Sequence, residues 1–381
     1  MSSAIKPFRI DVSESDLDDL RSRLARTRYP EAEPVEDWSQ GIPLDYVKKV
    51  AAYWADGYDW RACEARLNNF DHFTTELDGL DIHFIHAPSP HAGAMPLVMT
   101  HGWPGSVVEF LRVIEPLRNP TAHGGDEADA FHVVCPSLPG YGFSAKPTEA
   151  GWGVGRTAVA WDQLMRRLGY DRFVAQGGDW GSVVTTNIGM LSEGGCLGIH
   201  TNMPVAAPDP EQMDDMSDAE LAALDAFAHY DKWDSGYSKQ QSTRPQTLGY
   251  GLVDSPVGQM AWILEKFWAW TDNQGNPEDA LSRDDLLDNV MLYWLTGSGA
   301  SSARLYWESF GNFADGTVDV PTAVSSFPKE IIRTSQRWAA NRYTNIISWN
   351  ELAAGGHFAA FEVPDVFVEE LRNGFRAMRP V

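Results

Sequence analysis

The chain has 381 residues, of which 43% are hydrophobic, so it is long enough and apolar enough to bury a large core. Its formal net charge of −23, from 53 acidic and 30 basic side chains, argues against nucleic acid and anionic membranes as partners. It has no signal-type N-terminus and no apolar run of about 18 residues, and its three cysteines lack metal-ligand spacing. We therefore expect a cytoplasmic protein with reduced thiols and with no membrane anchor, metal or cofactor.

Residues 1–70 are predicted to form a helical and meandering arm. The segment from Ser13 to Asp16 resembles a capping box, and three leucines follow it at helical spacing: Leu17, Leu20 and Leu24. A loop-rich stretch precedes a second helix, predicted over 44–55. Two arrangements of the arm stay open, because it can wrap its own fold or a partner subunit in a homodimer.

Strand signals alternate with helical segments in the next part of the chain, 71–204. They occur at 72–77, 80–87, 96–100, 131–135, 173–176 and 197–200, and the turn Asp78-Gly79 joins the first two as a hairpin. This alternation predicts an α/β fold with a mostly parallel sheet.

Residues 205–316 interrupt that alternation with helical segments rich in Asp, Trp and Tyr. Strand signals return at 320–327 and 345–349, within a last segment assigned to 317–381. Because strands and a catalytic-type histidine follow the interruption, we interpret it as a helical cap inserted into the sheet domain. Such a cap is expected to cover the catalytic face.

The segment Gly177-Gly178-Asp179-Trp180-Gly181-Ser182 follows the strand at 173–176 and precedes a helix predicted to start near Ser182. Its frame matches the nucleophile elbow of α/β-hydrolases, with Asp179 at the apex where those enzymes carry serine. A carboxylate is already ionised at neutral pH, and it can attack a saturated carbon to form an alkyl ester. Taken alone, the pattern also fits an ordinary surface turn.

Two further segments follow predicted strands and complete a candidate catalytic set. The Gly-rich run from His101 to Ser106 follows the strand at 96–100, where this fold supplies one donor to an oxyanion hole. We expect the backbone N–H groups of Trp103 and Trp180 to be the two donors. His357 follows Gly-Gly after the last strand, which is where the general base of this fold stands.

The acid that orients the histidine has several candidates. Glu330 comes directly after the strand at 320–327, at the edge where catalytic groups gather. Asp319 precedes that strand, and Glu351 and Glu362 flank His357 after the last strand. We favour Glu330, which would fix the imidazole tautomer and stabilise its charged form.

Together the motifs HGWPGS, GGDWGS, FPKE and GGHFAAFE resemble the microsomal-type epoxide hydrolases, including the juvenile-hormone and fungal members. The arm resembles the N-terminal region of that family, so the resemblance covers nearly the whole chain. It implies that Asp179 is the nucleophile, Glu330 the acid and His357 the base that activates water. It also implies that two cap tyrosines hold the epoxide oxygen, matched here by Tyr237 and Tyr306.

The implied reaction is hydrolysis of a small hydrophobic epoxide to a vicinal diol through an ester of Asp179. Without the resemblance, the two tyrosines could not be told from neighbours such as Tyr250 and Tyr293. The mammalian members carry an N-terminal membrane anchor that we do not expect here. Two alternatives remain: a haloalkane dehalogenase, which shares the Asp elbow and the histidine, and a non-catalytic metabolite receptor on the same scaffold.

Overall fold

The computed structural model describes residues 4–191, 195–311 and 316–379. Within them, one sheet of nine strands has the order β1-β2-β3-β5-β4-β6-β7-β8-β9. The strands are β1 Lys6–Phe8, β2 His72–Leu77, β3 Leu80–Ala87, β4 Met95–Thr100, β5 Phe131–Pro136, β6 Phe173–Gly177, β7 Cys196–Thr201, β8 Thr322–Ser326 and β9 Ile346–Glu351.

The sheet is antiparallel at one side and parallel through the rest. Pairs β1–β2, β2–β3 and β3–β5 are antiparallel, whereas β4, β5, β6, β7, β8 and β9 run parallel to one another. Parallel strands that are covered on both faces read as continuous apolar runs, and β4 and β6 do so. The structure thus confirms the predicted mostly parallel α/β sheet.

Helices cover the sheet and fill the long connection between β7 and β8. They are α1 Glu14–Ala25, α2 Leu44–Asp56, α3 Trp60–Leu67, α4 Ile114–Arg118, α5 Val154–Arg167, α6 Asp179–Met190, α7 Asp218–His229, α8 Gly236–Thr243, α9 Pro245–Asp254, α10 Pro256–Trp270, α11 Arg283–Leu295, α12 Gly299–Ser309, α13 Gln336–Ala339, α14 Ala359–Glu362 and α15 Pro364–Arg376. Helices α7 to α12 occupy the predicted insertion, which we call the cap segment (205–316).

Most predicted elements agree with the structure to within two residues, and three details differ. The helix expected to start near Ser182 begins three residues earlier, at Asp179, because the turn after β6 is completed within a single residue. Strand β1 and helix α3 were not predicted, since β1 spans only three residues and α3 only eight. The four expected segments remain a prediction, and each includes residues outside the described ranges.

The arm packs against helices of its own chain. The Trp38 ring stacks on Trp268 at a centroid distance of 4.8 Å, and the Tyr58 hydroxyl donates to Asp288 at 2.7 Å. The side chain of Ser13 accepts the N–H of Asp16, which caps α1 as expected. The contacts of Trp38 and Tyr58 join the arm to the cap segment. Among the residues that the structure describes, no helix combines the length and apolar character that crossing a membrane requires.

Candidate active site

The turn between β6 and α6 holds Asp179 in a strained backbone conformation. Its φ is +50°, in the left-handed region that side chains other than glycine rarely adopt. The small residues on either side are required by close approach. A Cβ at Gly181 would lie 1.9 Å from the carbonyl oxygen of Thr100, and one at Gly177 would lie 2.0 Å from that of Gly181. The local sequence therefore folds into the sharp elbow that the motif predicts.

The Asp179 carboxylate is held from two sides. The backbone N–H of Trp103 donates to Oδ1 at 2.7 Å, and Nε2 of His357 lies 3.2 Å from Oδ2. A Cβ at Gly102 would lie 2.1 Å from Oδ1, so only glycine lets this backbone approach so closely. Trp180, the second expected donor, occupies the first turn of α6, whose N–H groups point toward the helix start.

His357 and Glu330 form a buried pair behind the nucleophile. Their Nδ1 and Oε1 atoms are 2.6 Å apart, and Oε1 also accepts the N–H of Ile331 at 2.7 Å. The His357 backbone N–H donates to the carbonyl of Trp270 at 2.9 Å. Burial by itself lowers the pKa of His357, but the charges of Glu330 and Asp179 outweigh it and hold that pKa well above its ordinary value.

The rival acids stand elsewhere. Asp319 accepts a hydrogen bond from Thr344 at 2.7 Å, and Glu351 is exposed at the end of β9. Glu362 accepts the backbone N–H groups of Asp272 and Phe358 at 2.7 and 3.0 Å. It therefore supports the loop that carries His357, while the imidazole itself is hydrogen-bonded to Glu330.

Both candidate tyrosines of the cap segment are buried over the elbow. The Tyr237 ring stacks on Trp103 at 4.9 Å, the Tyr306 ring meets Trp180 edge-on at 4.8 Å, and the two tyrosine rings are 5.7 Å apart. Burial is the main cause that raises the pKa of each well above its ordinary value, and the charge of Asp179 adds to it. Both hydroxyls are therefore protonated and can donate.

The two rival tyrosines differ from these in exposure or in hydrogen bonding. Tyr250 is 71% exposed at the surface of α9, whereas Tyr293 is buried and donates to the carbonyl of Gly105 at 2.7 Å. By contrast, the Tyr306 hydroxyl has no hydrogen-bond partner among the described residues.

Sequence reasoning missed several residues around this site. The Tyr230 hydroxyl lies 3.0 Å from that of Tyr237, and the Trp270 ring lies 5.0 Å from that of His357. The Lys266 ammonium lies over the Tyr237 ring. No periodic signal marks these three, because they meet the site only through packing of the cap segment.

Glu109 also escaped the sequence analysis, although its capping-box spacing from Ser106 was a usable signal. It lines a cavity of about 20 Å³ together with Asp179, His357 and Gln176. That volume suffices for one water molecule. Burial raises the pKa of Glu109 to about 8 even though the charge of His357 opposes the rise. Gln176 Oε1 has no hydrogen-bond partner in the described part of the chain.

Two protein-family models and several known proteins match this chain. Residues 5–110 match the family model "Epoxide hydrolase N terminus", and residues 95–249 match "alpha/beta hydrolase fold". A putative epoxide hydrolase of Stigmatella aurantiaca is 55% identical over 376 residues, which cover 98% of this chain and 86% of that protein. The chain belongs to the epoxide hydrolase family.

More distant members support the same assignment. Epoxide hydrolase 1 of Sus scrofa is 37% identical, with 97% of this chain and 88% of that protein covered. The crystal structure of juvenile hormone epoxide hydrolase from Bombyx mori has a TM-score of 0.88 at 32% identity, with 99% and 95% covered. The fold is thus the α/β-hydrolase fold, and the protein is an epoxide hydrolase, as the sequence motifs predicted.

Proposed function

We propose that this epoxide hydrolase opens a neutral, hydrophobic epoxide to a vicinal diol through an alkyl ester of Asp179. The observation that carries the proposal is the placement of the Asp179 carboxylate. One of its oxygens accepts a backbone N–H, the other adjoins His357, and two buried tyrosines pack on the neighbouring rings of Trp103 and Trp180. A nucleophile, a base and proton donors gathered around one elbow suit ring opening followed by ester hydrolysis.

In the first step, Asp179 Oδ2 forms a bond to one ring carbon as the ring C–O bond breaks. The electron pair of that bond goes to the departing oxygen, which takes a proton from a tyrosine hydroxyl. Tyr237 and Tyr306 are the donors in this proposal, because an alkoxide is a poor leaving group without one. The product is an ester whose carbonyl oxygen is Oδ1, still facing the Trp103 N–H.

In the second step, His357 removes a proton from water and the hydroxide oxygen attacks the ester carbon. The N–H groups of Trp103 and Trp180 stabilise the tetrahedral anion. When its C–O bond to the substrate breaks, the departing alkoxide takes the proton of the added hydroxyl, which leaves the diol and the Asp179 carboxylate. One such donor is commonly worth about 100- to 1000-fold in rate. The one-water cavity beside Asp179 and His357 supports this step, since it offers the water polar neighbours, Glu109 and Gln176.

Ester formation would also prepare the base. The charges of Glu330 and Asp179 keep the pKa of His357 high in the resting site. Once Asp179 is an uncharged ester, one of those two charges is gone and the pKa of the imidazole falls. The imidazolium then gives up its proton more readily, and the tyrosinate left by ring opening is the base that can take it, which leaves a neutral imidazole for the second step.

The substrate in this proposal is apolar and uncharged. Beside Asp179, the aromatic rings of Tyr237 and Tyr306 pack against that of Trp103. Aromatic faces and edges bind apolar groups, and aryl groups in particular by stacking or edge contact. The strongly negative net charge further disfavours anionic epoxides.

Cytoplasmic location and assembly are also proposals. The three cysteines are unpaired, which suits a reducing compartment. The arm packs on its own chain in this structure, and a homodimer is proposed only as a further association.

A single turnover in water enriched in heavy oxygen tests the mechanism. We expect the first turnover to place the label in the Asp179 carboxylate, found by peptide mass, and to leave the diol unlabelled. Label in the diol at the first turnover would instead mean direct attack by water. Halide release from chloroalkanes under the same conditions would favour the dehalogenase alternative, and binding of an epoxide panel without turnover would favour the receptor.

A further inference from the structure

A buried lysine lies against the aromatic lining of the site. Lys266 is on α10, and only 6% of its side chain is exposed. Its ammonium nitrogen lies 4.8 Å from the centroid of the Tyr237 ring and 5.6 Å from that of Trp270. Lysine is almost never so deeply buried without a partner, so its placement needs an explanation.

Two carboxylates compensate the charge of Lys266. The ammonium pairs with Asp234 and, at 2.7 Å, with Glu265. Asp234 also accepts the indole N–H of Trp270. These ion pairs hold the ammonium at the face of the Tyr237 ring. An ion pair of this kind explains how the lysine tolerates burial, but it does not explain the choice of this ring.

We propose that Lys266 is a positioning residue that promotes proton donation by Tyr237 during ring opening. The inference rests on the function proposed above. As the epoxide C–O bond breaks, the proton of the Tyr237 hydroxyl passes to the departing oxygen and negative charge develops on the phenol. An ammonium over the ring attracts that charge more strongly than it attracts the neutral phenol. The contact therefore stabilises the transition state more than the ground state.

The ammonium–ring contact also counteracts the surroundings that make Tyr237 hold its proton. Burial, the neighbouring tyrosines and the charge of Asp179 all raise the pKa of Tyr237 and so oppose the loss of its proton. The positive charge of Lys266 over the ring face acts in the opposite direction and favours loss of that proton. Its effect should be confined to ester formation, since the tyrosine returns to its neutral form before the diol is released.

The test is a double-mutant cycle between Lys266→Met and Tyr237→Phe, with ester formation and ester hydrolysis timed separately by rapid quench and protein mass. Phenylalanine keeps the ring under the ammonium but has no proton to give. In the presence of Tyr237 we expect Lys266→Met to slow ester formation by about three- to thirtyfold. In the Tyr237→Phe background the same change should alter that rate less than about twofold, because the proton on which Lys266 acts is gone.

Control variants separate this role from simple support of the fold. Lys266→Arg keeps the cation and should restore most of the rate. The triple variant Asp234→Asn/Glu265→Gln/Lys266→Met removes both partner charges together with the ammonium and repeats the test if Lys266→Met folds poorly. Lys239→Met removes an exposed cap-segment lysine that pairs with Asp231, and it should change neither step.

Equal slowing of ester formation in both backgrounds, or equal slowing of both chemical steps, would overturn the proposal. A cycle between Lys266→Met and Tyr306→Phe should give additive effects. Strong coupling in that cycle would mean that Lys266 acts through Tyr306 and not through Tyr237. If the unmodified enzyme forms no ester at all, the proposed mechanism fails instead, and that outcome is distinct from a failure of the lysine proposal.

Discussion

At the scale of single residues, burial and nearby charges together set the protonation states of the groups at the site. Burial opposes ionisation, yet His357 is held between Glu330 and Asp179, whose charges favour the imidazolium form. Two tyrosines stay protonated beside a carboxylate that further resists their ionisation. The two tyrosines therefore stand in the protonated form that the proposed ring opening requires of its proton donors.

Tyr306 allows activity and stability to be separated. Its buried hydroxyl has no partner among the described residues, so Tyr306→Phe removes no hydrogen bond and should leave the melting temperature unchanged or raised. We expect ester formation to slow by about 10- to 100-fold, since one donor remains, and ester hydrolysis to change less. Rapid-quench rates and thermal unfolding measure the two effects.

Tyr343 provides the matched control for that variant. Its buried hydroxyl lies 2.9 Å from that of Thr186 and accepts the N–H of Val205 at 3.1 Å. Tyr343→Phe leaves that N–H unpaired, which should lower the free energy of unfolding by about 1–3 kcal/mol without slowing ester formation. A Tyr306→Phe variant that matched Tyr343→Phe, unstable but fully active, would contradict the donor role.

At the scale of elements, the chain order of strands and motifs carries most of what the sequence predicts. Asp179, Glu330 and His357 each follow a predicted strand, and parallel strands end at one edge of the sheet. Their convergence can therefore be inferred from sequence. Tyr237 and Tyr306 could be singled out only by family resemblance, because nothing in their spacing distinguishes them from Tyr250.

Lys266 and Tyr230 could not be predicted at all. Lys266 lies on α10 and Tyr230 on the π-helical turn Tyr230–Asp234 before α8. Both contact Tyr237 only because these elements pack together, and that packing depends on contacts distant in sequence. Their local sequence shows only a helix rich in aromatic residues. The physical limit is that periodicity reveals which face of an element is buried, but not what it is buried against.

The elbow itself makes a prediction about an element. A methyl group at residue 181 would overlap the carbonyl oxygen of Thr100, which belongs to the backbone and cannot turn aside. Gly181→Ala should therefore shift α6 against β4, lower the free energy of unfolding by about 1–3 kcal/mol and displace Asp179. Circular dichroism melts and steady-state rates measure the loss of stability and of activity.

Gly251→Ala is the control, since a Cβ there meets nothing within 4 Å and the residue lies inside helix α9. This change should be neutral or stabilising by about 1 kcal/mol, with normal activity. If Gly181→Ala behaved in the same way, the close packing of the elbow would not be what fixes the nucleophile.

At the scale of the whole molecule, buried histidines link folding to pH. Burial is the largest cause that lowers the pKa of His86 and His101 to about 4 and that of His200 to about 3. His83, a fully buried residue of β3, also has a pKa that burial holds well below its ordinary value. These histidines are spread along the sheet, so their protonation acts on the fold and not on one site.

The sign of the effect follows from where protons bind. In the unfolded chain these histidines take up protons as the pH falls below about 6.5, while in the folded chain they stay neutral down to their lowered pKa values. These histidines therefore bind more protons in the unfolded state between about pH 6.5 and pH 3, and their contribution makes stability fall as the pH falls in that range. His357, Glu109 and Glu362 oppose the trend, because the folded pKa of each is raised and its contribution is lost only as the pH rises.

We expect the free energy of unfolding to drop by several kcal/mol (~1.4 per proton and pH unit) between pH 6.5 and pH 4. His200 is the best position to test, since glutamine has no ionisable group and can replace the contact of its Nε2 atom, which lies 2.9 Å from the Ser325 hydroxyl. His200→Gln should reduce the slope of stability against pH by up to one proton, measured by urea unfolding across that range. His123→Gln, at an exposed position, should leave the slope unchanged; equal slopes for all three proteins would show that buried histidines do not set the acid limit.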